Sequence, residues 1–225
     1  MLGERKGGIM THDDGRLKAA RQVMLDEHLV ARGIHDPRVL AAMASVRREE
    51  FVPPHLRELA YDDRALPVEL GQTISQPYTV AFMAQAARLT GHERVLEVGT
   101  GTGYGAAILS QLAAEVCTVE RWPDLVQSAR ERLQWLCFRN VRVQLGDGSL
   151  GWPKVGPFDA IVVTAAAVQL PPAFLGQLAE EGRIIIPIGE PGNGQTMFRF
   201  IRRGDEPHSE SLGQFSFVPL VCEPT

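Results

Sequence analysis

The sequence predicts an α/β fold: a doubly wound, mostly parallel sheet of seven strands with an N-terminal helical cap. Two observations carry this prediction. A short apolar run, VLEV (95–98), leads into a glycine-rich turn and then into a helical segment, AAILSQLA (106–113). From there to the C-terminus, strand-like and helix-like segments alternate, which is typical of parallel strands joined by crossover helices. Ligands of such sheets bind at the carboxyl ends of the strands.

The N-terminal part of the chain is predicted to be helical. Residues 1–15 are polar and glycine-rich and are predicted to form a loose tail. Helical spacing of apolar residues predicts a first helix from Gly15 to Arg32 that stops at Gly33. Asp36-Pro37 then predicts the N-cap and first turn of a second helix. We interpret these helices as a cap on the later sheet.

A polar segment, YDDRALPVELGQTISQP (61–77), interrupts the helical pattern. It is predicted to be a long loop, and long loops inside compact domains are often functional. Pro77 is expected to begin the helix that leads to the glycine-rich turn. We treat residues 16–225 as a single domain, in which 16–90 supply the helices and this loop and 91–225 supply the sheet and a C-terminal hairpin.

The remaining elements follow from apolar runs and their punctuation by proline and glycine. The predicted strands are 95–98, 115–120, 141–145, a strand with its exit over 158–167, and then 183–189, 197–202 and 214–221. A helix is expected over 123–138, opened by Pro123, and another from Pro171-Pro172 to about Ala179. A glycine-rich turn at 192–194 precedes the last two strands, which we interpret as an antiparallel hairpin.

Composition excludes several classes of protein. The chain is 44% apolar and 22% charged with a net charge of −4, which is ordinary for a globular domain. No run approaches the roughly 18 apolar residues of a membrane helix, and no secretory signal is visible. The three cysteines are widely spaced, which favours a reducing cytoplasm over a zinc site. Without a Lys/Arg block or metal-spaced histidines, we predict no nucleic-acid partner and no metal.

The glycine-rich turn is the strongest local signal for a ligand. Its glycines alternate along the chain at Gly99, Gly101, Gly103 and Gly105. Such a turn lets backbone approach a ligand, and the following helix directs free N–H groups at it. Gly101, Gly103 and Ala106 also fit permissive dinucleotide spacing, so NAD is an alternative. Glu97 favours S-adenosylmethionine (SAM), because its carboxylate can reach the ammonium of the methionine part, which NAD lacks. A turn without a ligand is the third interpretation.

Three acids are predicted at three successive strand ends. Glu97 ends the first strand, Glu120 ends the second, and Asp147 follows the third. Glu120 comes 21 positions after Gly99, the spacing at which an acid accepts ribose hydroxyls. Asp147, between two glycines, can accept from an adenine amino group. Each acid alone is equally well explained as a solvated surface residue, but the three together favour ligand contact.

Segments spread over residues 17–221 resemble the protein-L-isoaspartate O-methyltransferase family. They are RGIHDPRVL (32–40), REEFVPP (48–54), YDDRALP (61–67), GQTISQP (71–77), VLEVGTGTGYG (95–105), GDG (146–148), FDAIVVTAAA (158–167) and FVPLV (217–221). GQTISQP beside a SAM-type turn is a narrow signal. The chain departs from the family at Gly105, where bacterial relatives often carry Gln, and at Arg121-Trp122, where other polar residues are usual.

The resemblance implies the Rossmann-like fold of SAM-dependent methyltransferases and a repair reaction. A methyl group passes from SAM to the α-carboxyl of L-isoaspartyl, and by extension D-aspartyl, residues in damaged proteins and peptides, leaving S-adenosyl-L-homocysteine. The ester then cyclises without enzyme to a succinimide that hydrolyses partly to aspartate. We expect such proteins and peptides as partners, no membrane, and a monomeric cytoplasmic enzyme. The alternatives are a methyltransferase for a small molecule or RNA, an NAD-dependent oxidoreductase, and a non-catalytic SAM-binding module.

The resemblance places catalysis on Ser75. A carboxylate acceptor is already ionised at neutral pH and needs no general base. The Ser75 hydroxyl can donate to one carboxylate oxygen while the other attacks. In the alternative interpretation Ser75 only prepares the helix that starts at Pro77, although Gln76 is better placed for the N-cap.

The other expected site residues come from the same motifs. Contacts to SAM are expected from Thr73, Ile74, Gln76, Glu97, Gly99, Thr100, Gly101, Thr102, Gly103, Glu120, Arg121, Asp147 and Gly148. Contacts to the substrate are expected from Asp63, Thr164, Ala165 and Val218. These four have structural alternatives: Asp63 can pair with Arg64 or another base, the small residues can pack under a loop, and Val218 can belong to the core.

Overall fold

The structure is a computed structural model that describes residues 13–190, 194–204 and 206–221. Its α-helices are α1 (Asp13–Val23), α2 (Pro37–Ser45), α3 (Pro77–Ala86), α4 (Tyr104–Ser110), α5 (Pro123–Trp135) and α6 (Pro172–Leu175). Its strands are β1 (Leu66–Pro67), β2 (Thr73–Ile74), β3 (Arg94–Val98), β4 (Glu115–Glu120), β5 (Val141–Leu145), β6 (Phe158–Val163), β7 (Leu178–Ile188), β8 (Gln195–Arg203) and β9 (Glu206–Phe215). Most of the predicted tail, 1–15, and of the predicted turn at 192–194 lies outside the described residues.

Seven strands form one sheet in the order β5-β4-β3-β6-β7-β8-β9. The strands from β5 to β7 in this order run parallel to their neighbours, whereas β8 and β9 are antiparallel. The predicted fold class is confirmed. The order in which successive strands join the sheet reverses at β3: β4 lies on one side of it and β6 on the other. This reversal point is where ligands of doubly wound sheets bind.

The predicted last strand, 214–221, is wrong, because the ladder ends at Phe215. Residues 216–221 instead cross the carboxyl edge of the sheet. There Ala166 donates its N–H to Val218 O (2.8 Å) and accepts from Leu220 N (2.7 Å). Pro219 lacks the N–H that a continuing strand needs. The true strand, EPHSESLGQF, is polar because it forms the edge of the sheet.

The predicted helix from Pro171-Pro172 to Ala179 is shorter than expected. Helix α6 ends at Leu175, and β7 already begins at Leu178. The apolar residues that suggested a longer helix belong to this strand. Phe158 N donates to Gln177 O (2.8 Å), so pairing with β6 begins immediately after the helix. Tertiary pairing has therefore replaced the local helical preference.

The N-terminal helices cover one face of the sheet. Helix α1 continues through a π-helical segment (Met24–Leu29) and a 3₁₀ turn (Val30–Arg32) before Gly33 stops it at φ 91°. Asp36 caps α2, as predicted: its carboxylate accepts from the backbone N–H groups of Arg38 and Val39. The apolar faces of the N-terminal helices pack with α3, α4 and this face of the sheet to form one core, in which Met24 is completely buried. A second core, which includes Leu96, lies on the opposite face.

The predicted loop at 61–77 contains a small hairpin of its own. Strands β1 and β2 pair antiparallel, with Leu66 opposite Ile74. The turn between them places Leu70 and Gly71 at φ 57° and 67°. Helix α3 then begins at Pro77, as predicted. Across the described part of the chain, no helix is long and apolar enough to cross a membrane.

Candidate active site

A cleft of about 970 Å³ opens at the carboxyl ends of β3, β4 and β6. Its walls are the end of the β1–β2 hairpin, the glycine-rich turn, the ends of these strands, and the segment 212–221. Ligand sites in proteins commonly measure roughly 300–1,000 Å³. The cleft therefore has room for a nucleotide-sized donor together with part of a second reactant.

The glycine-rich turn presents backbone to this cleft. Gly99 has φ 95°, and a Cβ there would overlap the Thr164 hydroxyl. Gly101 has φ 52° with open space in front of it, and its N–H donates to Glu120 Oε2 at 3.0 Å. Gly103 does not line the cleft; it is the left-handed N-cap of α4 and faces Leu133. The turn thus forms a cradle in which added side chains would occupy the space of a ligand or a neighbour.

Glu97 is a buried acid on the wall of the cleft. Its carboxyl group packs against α4, so close to Gly105 of this helix that a Cβ on Gly105 would overlap Oε1. It accepts from the Thr118 hydroxyl at 2.6 Å, and Thr118 in turn pairs with the Thr100 hydroxyl at 2.7 Å. Burial raises the pKa of Glu97 to about 8; the Thr118 bond lowers it and the charge of Glu120 raises it further. Among the described residues no Lys or Arg pairs with Glu97, so a ligand ammonium suits this position.

Glu120 ties the second strand end to the glycine turn. Besides Gly101, its carboxylate accepts from the backbone N–H groups of Arg121 (2.8 Å) and Trp122 (3.1 Å). A carboxylate has about four acceptor positions, so capacity for ligand hydroxyls remains. Arg121 also lines the cleft, and its Nη1 donates to Val221 O at 2.9 Å. This bond fastens the segment 216–221 to the residue that follows β4.

The end of β5, the third of the predicted strand ends, contributes Gly148 to the cleft wall rather than Asp147. Asp147 does not line the cleft; its Oδ1 accepts from Ser149 N (2.8 Å) and Ser149 Oγ (2.7 Å) and caps the turn Gly148–Leu150. Gly148 does line the cleft, and a Cβ there would press against Val98. Among the described residues, Asp147 therefore shapes the turn that presents Gly148.

Ser75 lies on the opposite wall, directly after β2. Its side chain is half-buried and lines the cleft. No residue in the described ranges hydrogen-bonds its hydroxyl, whereas its carbonyl accepts from Arg48 Nη2 at 2.8 Å. Gln76 is the N-cap of α3 but makes no side-chain cap; its amide donates to Asp63 O (3.0 Å) and Asp63 Oδ1 (2.7 Å). The Ser75 hydroxyl is thus not used to start the helix.

The other predicted site residues divide into two groups. The structure places Thr73, Ile74, Thr100, Thr102, Thr164, Ala165 and Val218 on the wall of the cleft. Thr164 lies within 2.9 Å of the carbonyls of Val98 and Gly99, so its hydroxyl also fixes the turn. Asp63 is not on the cleft wall; it pairs with Arg32 (2.7 Å), while Arg64 pairs with Asp62 (3.0 Å).

Sequence reasoning missed an aromatic rim of the cleft that α3 and β9 form. Tyr78 stacks with Phe215 at 6.4 Å between ring centroids, and Phe82 approaches Phe215 at 4.8 Å. The guanidinium of Arg32 lies 3.8 Å from the centre of the Tyr78 ring. The four-residue spacing of Tyr78 and Phe82 on α3 is a signal that they share a face. No local signal brings Phe215 to that face, because β9 reaches it through the sheet.

The fold and the site define a class of protein, the SAM-dependent methyltransferases with a Rossmann-like sheet. A family model described as protein-L-isoaspartate(D-aspartate) O-methyltransferase (PCMT) matches residues 19–224. The chain belongs to this protein-L-isoaspartate O-methyltransferase family.

Similar proteins bear the same description. The chain is 51% identical over 199 residues to a protein-L-isoaspartate O-methyltransferase of Protochlamydia amoebophila, covering 88% of this chain and 95% of that one. It is 52% identical over 202 residues to protein-L-isoaspartate O-methyltransferase 1 of Geotalea uraniireducens, covering 89% and 92%. A solved protein-L-isoaspartate O-methyltransferase superposes with a TM-score of 0.79 at 29% identity, covering 88% of this chain and 65% of that one.

A second solved structure bears on the donor. It is described as a family member from Plasmodium falciparum in complex with S-adenosyl-L-homocysteine, and it superposes with a TM-score of 0.76. Its sequence is 26% identical, and the alignment covers 89% of this chain and 98% of that one. The family uses SAM as its methyl donor.

Proposed function

We propose that this protein methylates the α-carboxyl group of L-isoaspartyl residues in damaged proteins and peptides, as a repair enzyme. The observation that carries the proposal is a Ser75 hydroxyl with no partner among the described residues, facing the same cleft as the buried acid Glu97. Family membership supports the choice of acceptor. The predicted SAM and substrate contacts of the residues that line the cleft are part of this proposal, whereas Gly103, Asp147 and Asp63 lie off its wall.

The donor side of the cleft fits SAM. When bound, SAM supplies a methyl group that is activated by its positively charged sulfur. We assign Glu97 to the ammonium of the methionine part, Glu120 to the ribose hydroxyls, and Gly148 with its neighbours to the adenine. The open face of Gly101 admits the donor close to the backbone. Arg121 and the segment it holds form the wall of the cleft beside Glu120, where we place the nucleoside.

The acceptor side needs a group that orients a carboxylate without removing a proton. The α-carboxyl of the substrate is ionised at neutral pH, with a pKa of about 3.5. Ser75 donates a hydrogen bond to one oxygen and leaves the second free to attack in line with the methyl–sulfur bond. Alignment of this kind supplies much of the rate enhancement of a bimolecular reaction. Opposite charges neutralise as the bond forms, so exclusion of water also favours transfer.

The proposal is tested with methyl-labelled SAM and a pair of peptides identical except for an isoaspartyl or an aspartyl linkage. We expect label in the isoaspartyl peptide and at least tenfold less in its twin. A D-aspartyl peptide tests the wider range of acceptors. Equal label in both twins, or label only in RNA or in a small carboxylic acid, would refute the proposal and favour a different acceptor.

The assembly and location of the protein are also proposed. We propose a monomer that acts on proteins and peptides in the cytoplasm and does not bind nucleic acid. Support comes from Cys117 and Cys137, which are both free thiols, and from the net charge of −4. Light scattering after gel filtration should give the mass of one chain, cell fractionation should recover the enzyme with the cytoplasm, and RNA should not shift its mobility.

A further inference from the structure

A buried arginine lies behind the part of the cleft wall that carries Ser75, which we call the acceptor wall. Arg48 belongs to the 3₁₀ turn Arg48–Glu50 after α2, and its side chain is 0% exposed. Burial lowers the pKa of its guanidinium. Among the described residues, no carboxylate lies within ion-pair distance of it. Burying a cation without an opposite charge is costly, so the contacts that Arg48 does make call for an explanation.

These contacts join three segments that meet at the site. Arg48 Nε donates to Ala60 O at 2.7 Å, and Nη2 donates to Ser75 O at 2.8 Å. The guanidinium carbon also lies 4.7 Å from the ring centre of Tyr104. Ala60 precedes the loop at 61–77, Ser75 ends its hairpin, and Tyr104 is the first residue of α4 on the glycine-rich turn. Arg48 therefore connects both ends of the loop at 61–77 to the helix that follows the glycine-rich turn.

The geometry requires the fork of a guanidinium. The two bonds to carbonyl oxygens leave from different nitrogens, Nε and Nη2, of a single planar group. A lysine has one nitrogen on a flexible stem and cannot keep both directions and the ring contact together. The guanidinium carbon lies over the Tyr104 ring, which adds a cation–π interaction.

The backbone at Ser75 has few other restraints. Strand β2 contains only Thr73 and Ile74, so the sheet-like pairing ends just before Ser75. The adjacent Gln76 lines the cleft, but its part-buried side-chain bonds go to Asp63, which does not line it. The Arg48 bond to Ser75 O is the direct restraint on the peptide that carries the proposed catalytic hydroxyl.

We propose that Arg48 is a positioning residue: by holding Ser75 O and Ala60 O, it sets the Ser75 hydroxyl at the distance from the donor that carboxylate attack requires. This inference rests on the proposed function. A displacement of about 1 Å in a positioned group can lower a rate by about 10²-fold. The effect should fall on transfer to the acceptor, because the two hydrogen bonds of Arg48 go to Ala60 O and Ser75 O, whereas backbone bonds of the sheet fix the glycine-rich turn.

The test is a double-mutant cycle between Arg48 and Ser75. Arg48→Lys should lower kcat for the isoaspartyl peptide by about 10- to 100-fold and leave the calorimetric affinity for S-adenosyl-L-homocysteine within about twofold. In a Ser75→Ala background the same change should lower kcat by less than about threefold, because no hydroxyl is left to position. Arg57→Lys is the matched control: Arg57 lies in the same region, is 41% exposed, and pairs with Glu50. Its kcat should stay within about twofold of wild type.

Several outcomes would overturn the inference. An unchanged kcat in Arg48→Lys would do so, as would an equal loss in both backgrounds, which would indicate a general structural role. Arg48→Met, which removes the buried charge at similar length, serves if Arg48→Lys does not fold. If neither variant binds S-adenosyl-L-homocysteine, Arg48 is a folding residue and the inference is wrong. Wild-type enzyme that labels neither peptide twin would instead refute the proposed function itself.

Discussion

The two walls of the cleft are built in different ways. We call the glycine-rich turn with the ends of β3, β4 and β6 the donor wall, and the hairpin end that carries Ser75 the acceptor wall. On the donor wall, backbone bonds of the sheet fix the glycine-rich turn: Gly99 N donates to Val119 O at 2.9 Å, and Thr164 N donates to Val98 O at 2.9 Å. On the acceptor wall, the hairpin contributes two residue pairs, and side chains from other segments hold the rest. Arg48 restrains the backbone there, as the strand ladder does on the donor wall.

This difference separates binding from transfer. Ladder bonds are many and cooperative, so donor binding should depend on backbone conformation and on the space left by glycines. The acceptor wall depends on a few long side chains, so a single substitution there should change the rate of transfer while donor affinity stays the same. The predictions that follow test this separation, and the effects that we expect to be largest come first.

Removal of the Ser75 hydroxyl should have the largest effect on transfer. Ser75→Ala should lower kcat for the isoaspartyl peptide by about 10²-fold, the usual effect of deleting one positioned hydrogen-bond donor. Affinity for S-adenosyl-L-homocysteine, measured by calorimetry, should stay within about twofold. Ser209→Ala, an exposed serine on β9, is the control and should match wild type. A Ser75→Ala enzyme with the wild-type rate would remove Ser75 from the mechanism.

A methyl group at Gly99 should damage the donor wall instead. Gly99→Ala adds backbone strain at φ 95° and a clash with the Thr164 hydroxyl, so donor affinity should fall about tenfold or more. Gly33→Ala is a matched control, since Gly33 has φ 91° and no atom within 4 Å of the added Cβ. Backbone strain should cost both variants roughly 1–2 kcal/mol of stability. The clash should cost Gly99→Ala more, and only Gly99→Ala should lose donor affinity. Equal donor affinity in the two variants would contradict the proposal that the glycine-rich turn forms the donor's binding cradle.

The buried acid on the donor wall should make stability depend on pH. Burial raises the pKa of Glu97 to about 8, whereas an unfolded glutamate has a pKa of about 4.3. Between these values the folded donor-free protein keeps a proton that the unfolded chain releases. Its free energy of unfolding should therefore fall as pH rises, by at most about 1.4 kcal/mol per pH unit.

Urea unfolding of the donor-free protein between pH 5 and 8 measures this slope. Glu97→Gln should flatten it, and Ser75→Ala should keep it, because the acceptor wall carries no such group. Glu93 does not interfere: burial raises its pKa, but hydrogen bonds led by Thr90 N lower it to about 2, so its effect falls below this range. Parallel curves for wild type and Glu97→Gln would show that Glu97 is not the source.

The smallest effect is expected at Asp63. Its ion pair with Arg32 is partly exposed, with side-chain exposures of 31% and 41%, and such pairs contribute about 0–1 kcal/mol. Gln76 loses Asp63 Oδ1 but keeps its bond to Asp63 O (3.0 Å). Asp63→Ala should therefore cost less than about 1 kcal/mol in urea unfolding and change kcat by less than about threefold. A loss of kcat as large as that of Ser75→Ala would place Asp63 in the substrate site, contrary to its position outside the cleft wall.

Local patterns predicted the elements whose causes are local. The apolar residues of β4 and the apolar alternation of β5 predicted both strands with their observed bounds. The capping chemistry of Asp36 and the proline at Pro77 predicted the starts of α2 and α3. The glycine-rich turn also carries its own signature, because positive φ values require glycine within a few residues of each other. The division of residues 16–225 into a helical part and a sheet part remains a prediction.

Only the tertiary structure decided the features that depend on distant partners. The last strand was misplaced because β9 is polar, and its pairing with β8 could not be read from its own pattern. Asp63 pairs with Arg32, 31 residues away, and burial under α4 sets the proton affinity of Glu97. Arg48 looks like any surface arginine in the sequence; it is buried between Ala60 and Ser75 because three segments fold around it. Hydrogen bonding and desolvation act through space, so neighbours along the chain could not specify them.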